Sequence, residues 1–213
     1  SSVSRSRVAV IRRPITVNIG AATNPRFTFG KAALLGRALM IEIAPLSRVE
    51  PADVEALLDA AFGADRRART AYRMRDGVNA VAALSFAAFD DGRLVGTLQS
   101  WPVALEDAGG AMTAMTLVGP VAVLPDLQRG GFGKLMMTAL IAAAAKQGHD
   151  ALIMIGDPEY YGRFFDFTAD ATAGWVPPGP VERHRLLARI GRPGGVPAVG
   201  RIIPDPAFAT ARI

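Results

Sequence analysis

The stretch VLPDLQRGGFGKLMM, Val123 to Met137, constrains this chain more than any other. Three glycines fall within four residues, at Gly130, Gly131 and Gly133, between a β-branched apolar run and a helix-forming run. A strand that passes through glycines into a helix brings the helix N-terminus to the end of a sheet, with its unpaired N–H groups and partial positive charge. Glycine adds positive φ and room for a ligand to approach the backbone. Arg129 and Lys134 flank the loop with full charges, so the stretch suits a diphosphate. The competing reading is a tight turn that binds nothing.

Two familiar nucleotide loops fail at named positions. A Walker loop needs glycine where Gln128 stands and Ser or Thr where Leu135 stands. The dinucleotide fingerprint needs glycine where Met136 stands.

The rest of the chain reads as mixed α and β. IEIAPL after Met40 is a short strand, and PADVEALLDAAF is an amphipathic helix with Pro51 at its start and Val54, Leu57, Leu58 and Phe62 on one face. RRARTAYRMRDG reads as a second, basic helix ended by Gly77. AVAALSFAAFDDGRLVGTLQSWPVAL is a hairpin turning at DDGR. AMTLVGPVAVLP is a strand that Gly119-Pro120 interrupts with a bulge or kink. KLMMTALIAAAAKQ is a helix capped by Gly148, and ALIMIGD is a buried strand. DPEYYGRFF opens a short helix with Asp157 as N-cap and Pro158 at its first position. RHRLLARI is a late strand, followed by Pro/Gly-rich segments.

Composition removes several classes of function. The chain has no cysteine, so disulfides, thiolate-bound zinc and cysteine nucleophiles are excluded. Two distant histidines, His149 and His184, do not make a histidine-rich metal site, and no metal is expected. No apolar run reaches the ~18 residues of a membrane span. The net charge of +5 is uneven: residues 1–41 hold seven basic residues and no acid, leaving 17 basic against 19 acidic residues in the remainder. A near-neutral remainder argues against a broad nucleic-acid surface. Residues 1–39 form a basic extension ahead of a domain over 40–213. That extension reads as a flexible arm or upstream sequence before a start at Met40, as a targeting peptide, or as an arm that touches nucleic acid or lipid.

One further pattern accommodates the glycine loop. Gln128-x-x-Gly131-x-Gly133 resembles the Q/R-x-x-G-x-G/A loop of the GCN5-related N-acetyltransferase (GNAT) superfamily, and VAVLPDLQ resembles the strand ending before it. GDPEYYGRFF is similar to the corresponding segment of the small predicted acetyltransferase branch, except that Asp166 stands where glycine is usual and the spacing is one residue longer. The resemblance implies a twisted mixed sheet, mostly antiparallel, flanked by helices and splayed at a central parallel pair. It implies acetyl-CoA as co-substrate. The backbone of Val121, Ala122 and Val123 would pair with pantetheine like an added half-strand. Arg129, Gly130, Gly131, Phe132, Gly133 and Lys134, following Gln128, would hold the diphosphate, with the Phe132 ring in the core.

The same resemblance implies acetyl transfer to the amine of a small molecule or protein, with a tyrosine as general acid. Neighbouring helical residues point about 100° apart, so one of Tyr160 and Tyr161 faces the sulfur; Tyr161 is favoured. Asp157 reads as a cap before a base, and water would carry the amine proton. Arg73, Arg75 and Asp76 fall where the family shapes its acceptor pocket, or form a solvated face. Trp101, Met112 and Met115 line an apolar acceptor pocket or fill the core. His149 is expected in solvent and His184 in the late strand. A cytoplasmic protein is expected, with a homodimer left open because the superfamily often dimerises. The alternative is a non-catalytic acyl-CoA-binding module.

Overall fold

The computed structural model describes residues 41–210, with the backbone of three two-residue strand segments, Ile15–Thr16, Asn18–Ile19 and Thr28–Phe29. The expected extension over 1–39 otherwise lies outside the described residues. Chain order from Ile41 is β1 (Ile41–Pro45), α1 (Pro51–Phe62), α2 (Thr70–Arg73), β2 (Phe86–Asp90), β3 (Arg93–Glu106), β4 (Met112–Val123), α3 (Phe132–Gln147), β5 (Ala151–Ile155), α4 (Pro158–Phe165), β6 (Gly174–Val176), β7 (Leu186–Ile190) and β8 (Val199–Pro204).

The sheet runs β7-β5-β4-β3-β2-β1, with Asn18–Ile19 beside β1 in parallel. Every neighbouring pair in that run is antiparallel except β4 with β5. This is the mixed, mostly antiparallel sheet with a central parallel pair that the resemblance implied. Strand β3 is long enough to serve two partners on one side. Its first half pairs with β2, and its second half, Val103 to Glu106, pairs with β8. The β2–β3 turn places Asp91 at φ 51° and Gly92 at φ 78°, the two positive values that a tight two-residue hairpin loop requires.

Side-chain alternation assigns the two faces of the sheet. Val118, Leu152, Met154 and Leu187 point into a cluster with Phe132, Met136 and Leu140 of α3. Their neighbours Leu117, Ile153, Leu186 and Ala188 point the other way, into a cluster around Trp175 and Ile202. Helix α1 buries Val54, Leu57 and Leu58 over Ala122, each leucine worth about 1.5–3 kcal/mol of burial. Pro51 at its first turn and Gly63 at φ 84° after Phe62 set its limits.

Two segments differ from the sequence reading. The expected basic helix over RRARTAYRMRDG is broken into a 3-10 turn, Ala64–Ala68, and the single turn α2, with Arg69 extended between them at ψ 147°. The cause is Arg66. It is 1% exposed, and its guanidinium reaches Asp59 at 2.8 Å and Glu55 at 2.6 Å on α1 and also bonds the Tyr72 hydroxyl. A continuous solvated helix would surrender that clamp. The late strand is confined to Leu186–Ile190, and His184 sits before it in an exposed turn, 3.4 Å from Glu182. Strands β6 and β8 were not anticipated.

Candidate acetyl-donor and acceptor site

The centre of the molecule is a gap between two strands. Strands β4 and β5 are paired only at Thr116↔Leu152 and Leu117↔Ile153. Beyond Leu117, β4 continues to Val123 along β3 alone, so among the described residues one backbone edge of this stretch has no strand partner. The divergence begins where Gly119-Pro120 interrupts β4. Leu98 faces Val121 while Ser100 faces Val118, so two residues of β4 oppose one of β3. That is the anticipated bulge. The Trp101 indole donates to the Gly119 carbonyl at 2.9 Å and pins it.

Helix α3 begins at the end of that free edge. Gly131 is its N-cap, at φ 81° and ψ 3°, with no side chain capping the helix. The first helical hydrogen bond runs from Leu135 N–H to Gly131 O, 3.1 Å, which leaves the N–H groups of the first turn without intrahelical acceptors. The glycines divide their roles. Gly131 supplies the left-handed conformation. A Cβ on Gly130 would strike the Phe132 ring at 2.6 Å, so that glycine serves packing, and Phe132 is buried in the core as expected. A Cβ on Gly133 would meet nothing closer than 3.8 Å. No internal contact demands glycine there, and its open side faces a cavity.

That cavity, about 160 Å³, is walled by Gln128, Gly131, Gly133 and Lys134, by Val121 and Val123 of β4, and by Tyr160 and Tyr161 of α4. Eight of the twelve residues expected to bind the donor or act as the acid therefore converge on one space. Arg129 and Gly130 flank it, Phe132 underlies it, and Ala122 turns its side chain to α1. A second cavity, about 730 Å³, lies between the β4–β5 gap and the α1–α2 region. Phe62, Val121 and Tyr161 wall both spaces, so the two meet there.

Tyr161 stands at that junction. Burial, with smaller contributions from Tyr160 and Asp157, pushes its phenol up to about 12. Its ring packs against Phe165 and Phe167, and an added Cβ on Gly156 would lie 2.7 Å from it. Tyr160 is 36% exposed and meets the Tyr161 ring edge-on at 5.0 Å; burial raises its phenol as well. Asp157 caps α4, accepting the N–H groups of Glu159 at 2.9 Å and Tyr160 at 3.3 Å. Asp166 occupies the left-handed position after α4, at φ 59°, where glycine costs least.

Other sequence candidates divide differently. His149, expected in solvent, is half-buried with Nδ1 2.9 Å from the Thr116 hydroxyl. Met115 is core and Met112 is 51% exposed. Arg73 and Asp76 are exposed, but Arg75 is not part of a solvated face: it is buried at 8% exposure over the Tyr72 and Trp101 rings. Phe62, Tyr72, Gly156 and Arg185 belong to the cavity region and were not singled out. Among the described residues no cluster of three metal-ligating side chains occurs and no helix is long and apolar enough to cross a membrane.

Comparison with known proteins gives the family and the fold. Residues 42–166 match the family model of the acetyltransferase (GNAT) domain. A protein of Streptomyces avermitilis described as an uncharacterized N-acetyltransferase is 29% identical over 138 residues, covering 64% of this chain and 33% of the relative. The chain thus spans about a third of that relative's length. The GNAT family N-acetyltransferase YhbS of Escherichia coli, solved with CoA, superposes with a TM-score of 0.59 at 21% identity over 82% of this chain and 96% of its own. A GNAT family acetyltransferase of Brucella melitensis, solved with acetyl-CoA, gives 0.54 at 22% identity over 79% and 97%. These two likenesses concern the fold. With more than half of its length matched by the family model, and with every residue that walls the smaller cavity inside that match, the chain belongs to the GNAT acetyltransferase family.

Proposed function

We propose that the chain transfers the acetyl group of acetyl-CoA to a primary amine. The observation that carries this is the sequence of spaces just described: an uncapped helix N-terminus, an unpaired strand edge and a second, larger cavity, joined at Tyr161. The free edge of Val121–Val123 offers N–H and C=O groups to the amides of pantetheine. The first turn of α3, with Lys134 and Arg129, holds the diphosphate. The two structural neighbours named for CoA and acetyl-CoA support the same donor.

The acceptor approaches from the larger cavity. A neutral amine nitrogen attacks the thioester carbonyl carbon, the C–S bond breaks, and CoA departs as a thiolate that takes a proton from the Tyr161 hydroxyl. A phenol at about 12 is fully protonated at neutral pH and is therefore available as a donor at that moment. The amine proton leaves through water, because Asp157 is committed to capping α4 and Glu159 is exposed. Thiol release from acetyl-CoA with a panel of amines tests the reaction. Tyr161→Phe is expected to retain acetyl-CoA binding and lose about 10²-fold or more in kcat. A variant with full turnover removes Tyr161 from the chemistry, and a wild-type protein that binds acetyl-CoA yet releases no thiol with any amine is a binding module.

A further inference from the structure

The wall of the larger cavity opposite the strand gap carries an unusual cation. Arg75 lines this space and is 8% exposed. Its Cζ lies 3.8 Å from the centre of the Tyr72 ring and 4.3 Å from that of Trp101. Rings stacked on a guanidinium leave its N–H groups directed along its plane, in the fork that matches a carboxylate. Its polar neighbours are neutral: Gln99 Oε1 at a long 3.5 Å, and Tyr72. Among the described residues no carboxylate comes within salt-bridge distance of it. Glu55, the acid that acts on it through space, is held by Arg66 and Arg67 at 2.6 Å each.

The surroundings do not supply a counter-charge either. Arg185 lines the same cavity, and its Nε donates to the Gly156 carbonyl at 3.3 Å. Arg69 donates to the Phe62 carbonyl at 3.0 Å. Of the two acids in the wall, Asp157 is turned to the backbone of α4 and Glu182 is exposed beside His184. A buried charge is costly unless it is paired. Burial pushes the Arg75 guanidinium below its ordinary value, in keeping with a cation that lacks a close anion.

We propose that the amine acetylated here carries a carboxylate, in the manner of an amino acid, and that Arg75 holds this carboxylate with Arg185 assisting while the amine reaches the junction at Tyr161. This rests on the acetyl-transfer reading and adds to it the acceptor's charge. The aromatic stack fixes the plane of the fork, the cavity gives it access, and the ligand brings the anion that the protein does not.

Matched pairs test it: phenylalanine, methionine and γ-aminobutyrate, each against its own carboxamide, as acceptors in the thiol-release assay with wild type, Arg75→Gln and Arg185→Gln. Wild type is expected to favour at least one carboxylate over its amide by about tenfold or more in kcat/KM, the size of one charged hydrogen-bonded contact. Arg75→Gln is expected to collapse that ratio toward one by raising KM for the carboxylate, and Arg185→Gln to reduce it partly. A purely structural Arg75 would lower both members of a pair together and leave the ratio standing. The melting shift given by the same probes with CoA present is the second readout. It decides the matter if no amine turns over, in which case acetyl transfer falls while a carboxylate-selective shift, lost in Arg75→Gln or reduced in Arg185→Gln should the first variant fail to fold, still supports the site. Amides that serve or bind as well as the acids overturn the proposal and leave acetyl transfer intact.

Discussion

Gly156 offers a way to move the Tyr161 hydroxyl without touching it. A Cβ at Gly156 would lie 2.7 Å from two atoms of the Tyr161 ring and 3.3 Å from the Met154 terminal methyl. Ordinary carbon–carbon contact is about 3.5–4.0 Å, so in Gly156→Ala the ring must retreat by about 1 Å. The methionine end is flexible and yields at little cost. The backbone at Gly156 is outside the left-handed region, since no positive φ occurs there, so alanine adds no backbone strain and the ring contact alone is perturbed. A displacement of about 1 Å at a reacting group costs about 10²-fold, while overpacking of this kind costs about 1–3 kcal/mol of stability. The expected outcome is a kcat lower by about two orders of magnitude, with acetyl-CoA affinity changed by less than about threefold, because the helix cradle lies elsewhere. A steady-state assay with a calorimetric Kd for acetyl-CoA reads both quantities. The double variant Gly156→Ala/Tyr161→Phe supplies the internal control, since two changes acting through one hydroxyl are non-additive. A folded Gly156→Ala protein with wild-type kcat, or a double variant whose losses multiply, would refute the reasoning.

Asp166→Gly is expected to stabilise the protein by about 0.5–1 kcal/mol, since Asp166 holds φ 59° at a helix C-terminus where glycine is relieved of the Cβ penalty; an unchanged or lower Tm in a thermal melt would count against that. The Tyr161 phenol is raised from its ordinary value to about 12, so its proton is bound more tightly in the folded state. The corresponding stability is present below about pH 10 and lost as pH rises from about 10 to 12. The kcat profile is accordingly expected to show no alkaline fall assignable to Tyr161 below about pH 10, and a fall near pH 8 that Tyr161→Phe abolishes would contradict the assignment.

The geometry of the candidate donor side was legible in sequence because it is local. Gln128 to Lys134 span one loop and the first turn of α3, and the glycines, the preceding strand and the following helix state their geometry without reference to distant residues. The Gly119-Pro120 break likewise announces itself, as does the turn at Asp91-Gly92. The acceptor side was hidden because it is assembled from afar. Arg75 read either as part of an acceptor pocket or as part of a solvated face, and Arg66 lay in a segment read as one basic helix; their burial follows from Glu55 and Asp59 on α1 and from Trp101 on β3, pairings that no periodicity encodes. Asp166 looked like a departure from the family pattern, yet its left-handed φ is the conformation a glycine would provide. Strands β6 and β8 escaped notice because β6 has three residues, both lie among Pro and Gly, and they exist through pairing with the far half of β3 and with each other.

The central claim is that the first turn of α3 and the open edge of β4 hold acetyl-CoA, and Gly133 tests it most directly. Its Cβ position is open, so Gly133→Glu places a negative charge toward the diphosphate without disturbing the fold. Binding of acetyl-CoA to the native state alone, at about 100 times its Kd, stabilises by about 2.7 kcal/mol, roughly 5–10 °C in Tm for a chain of this size. The account predicts that shift for wild type, its loss in Gly133→Glu, and a ligand-free Tm for the variant within about 2 °C of wild type. No shift of the wild type at saturating acetyl-CoA, or an equal shift in the variant, would contradict it.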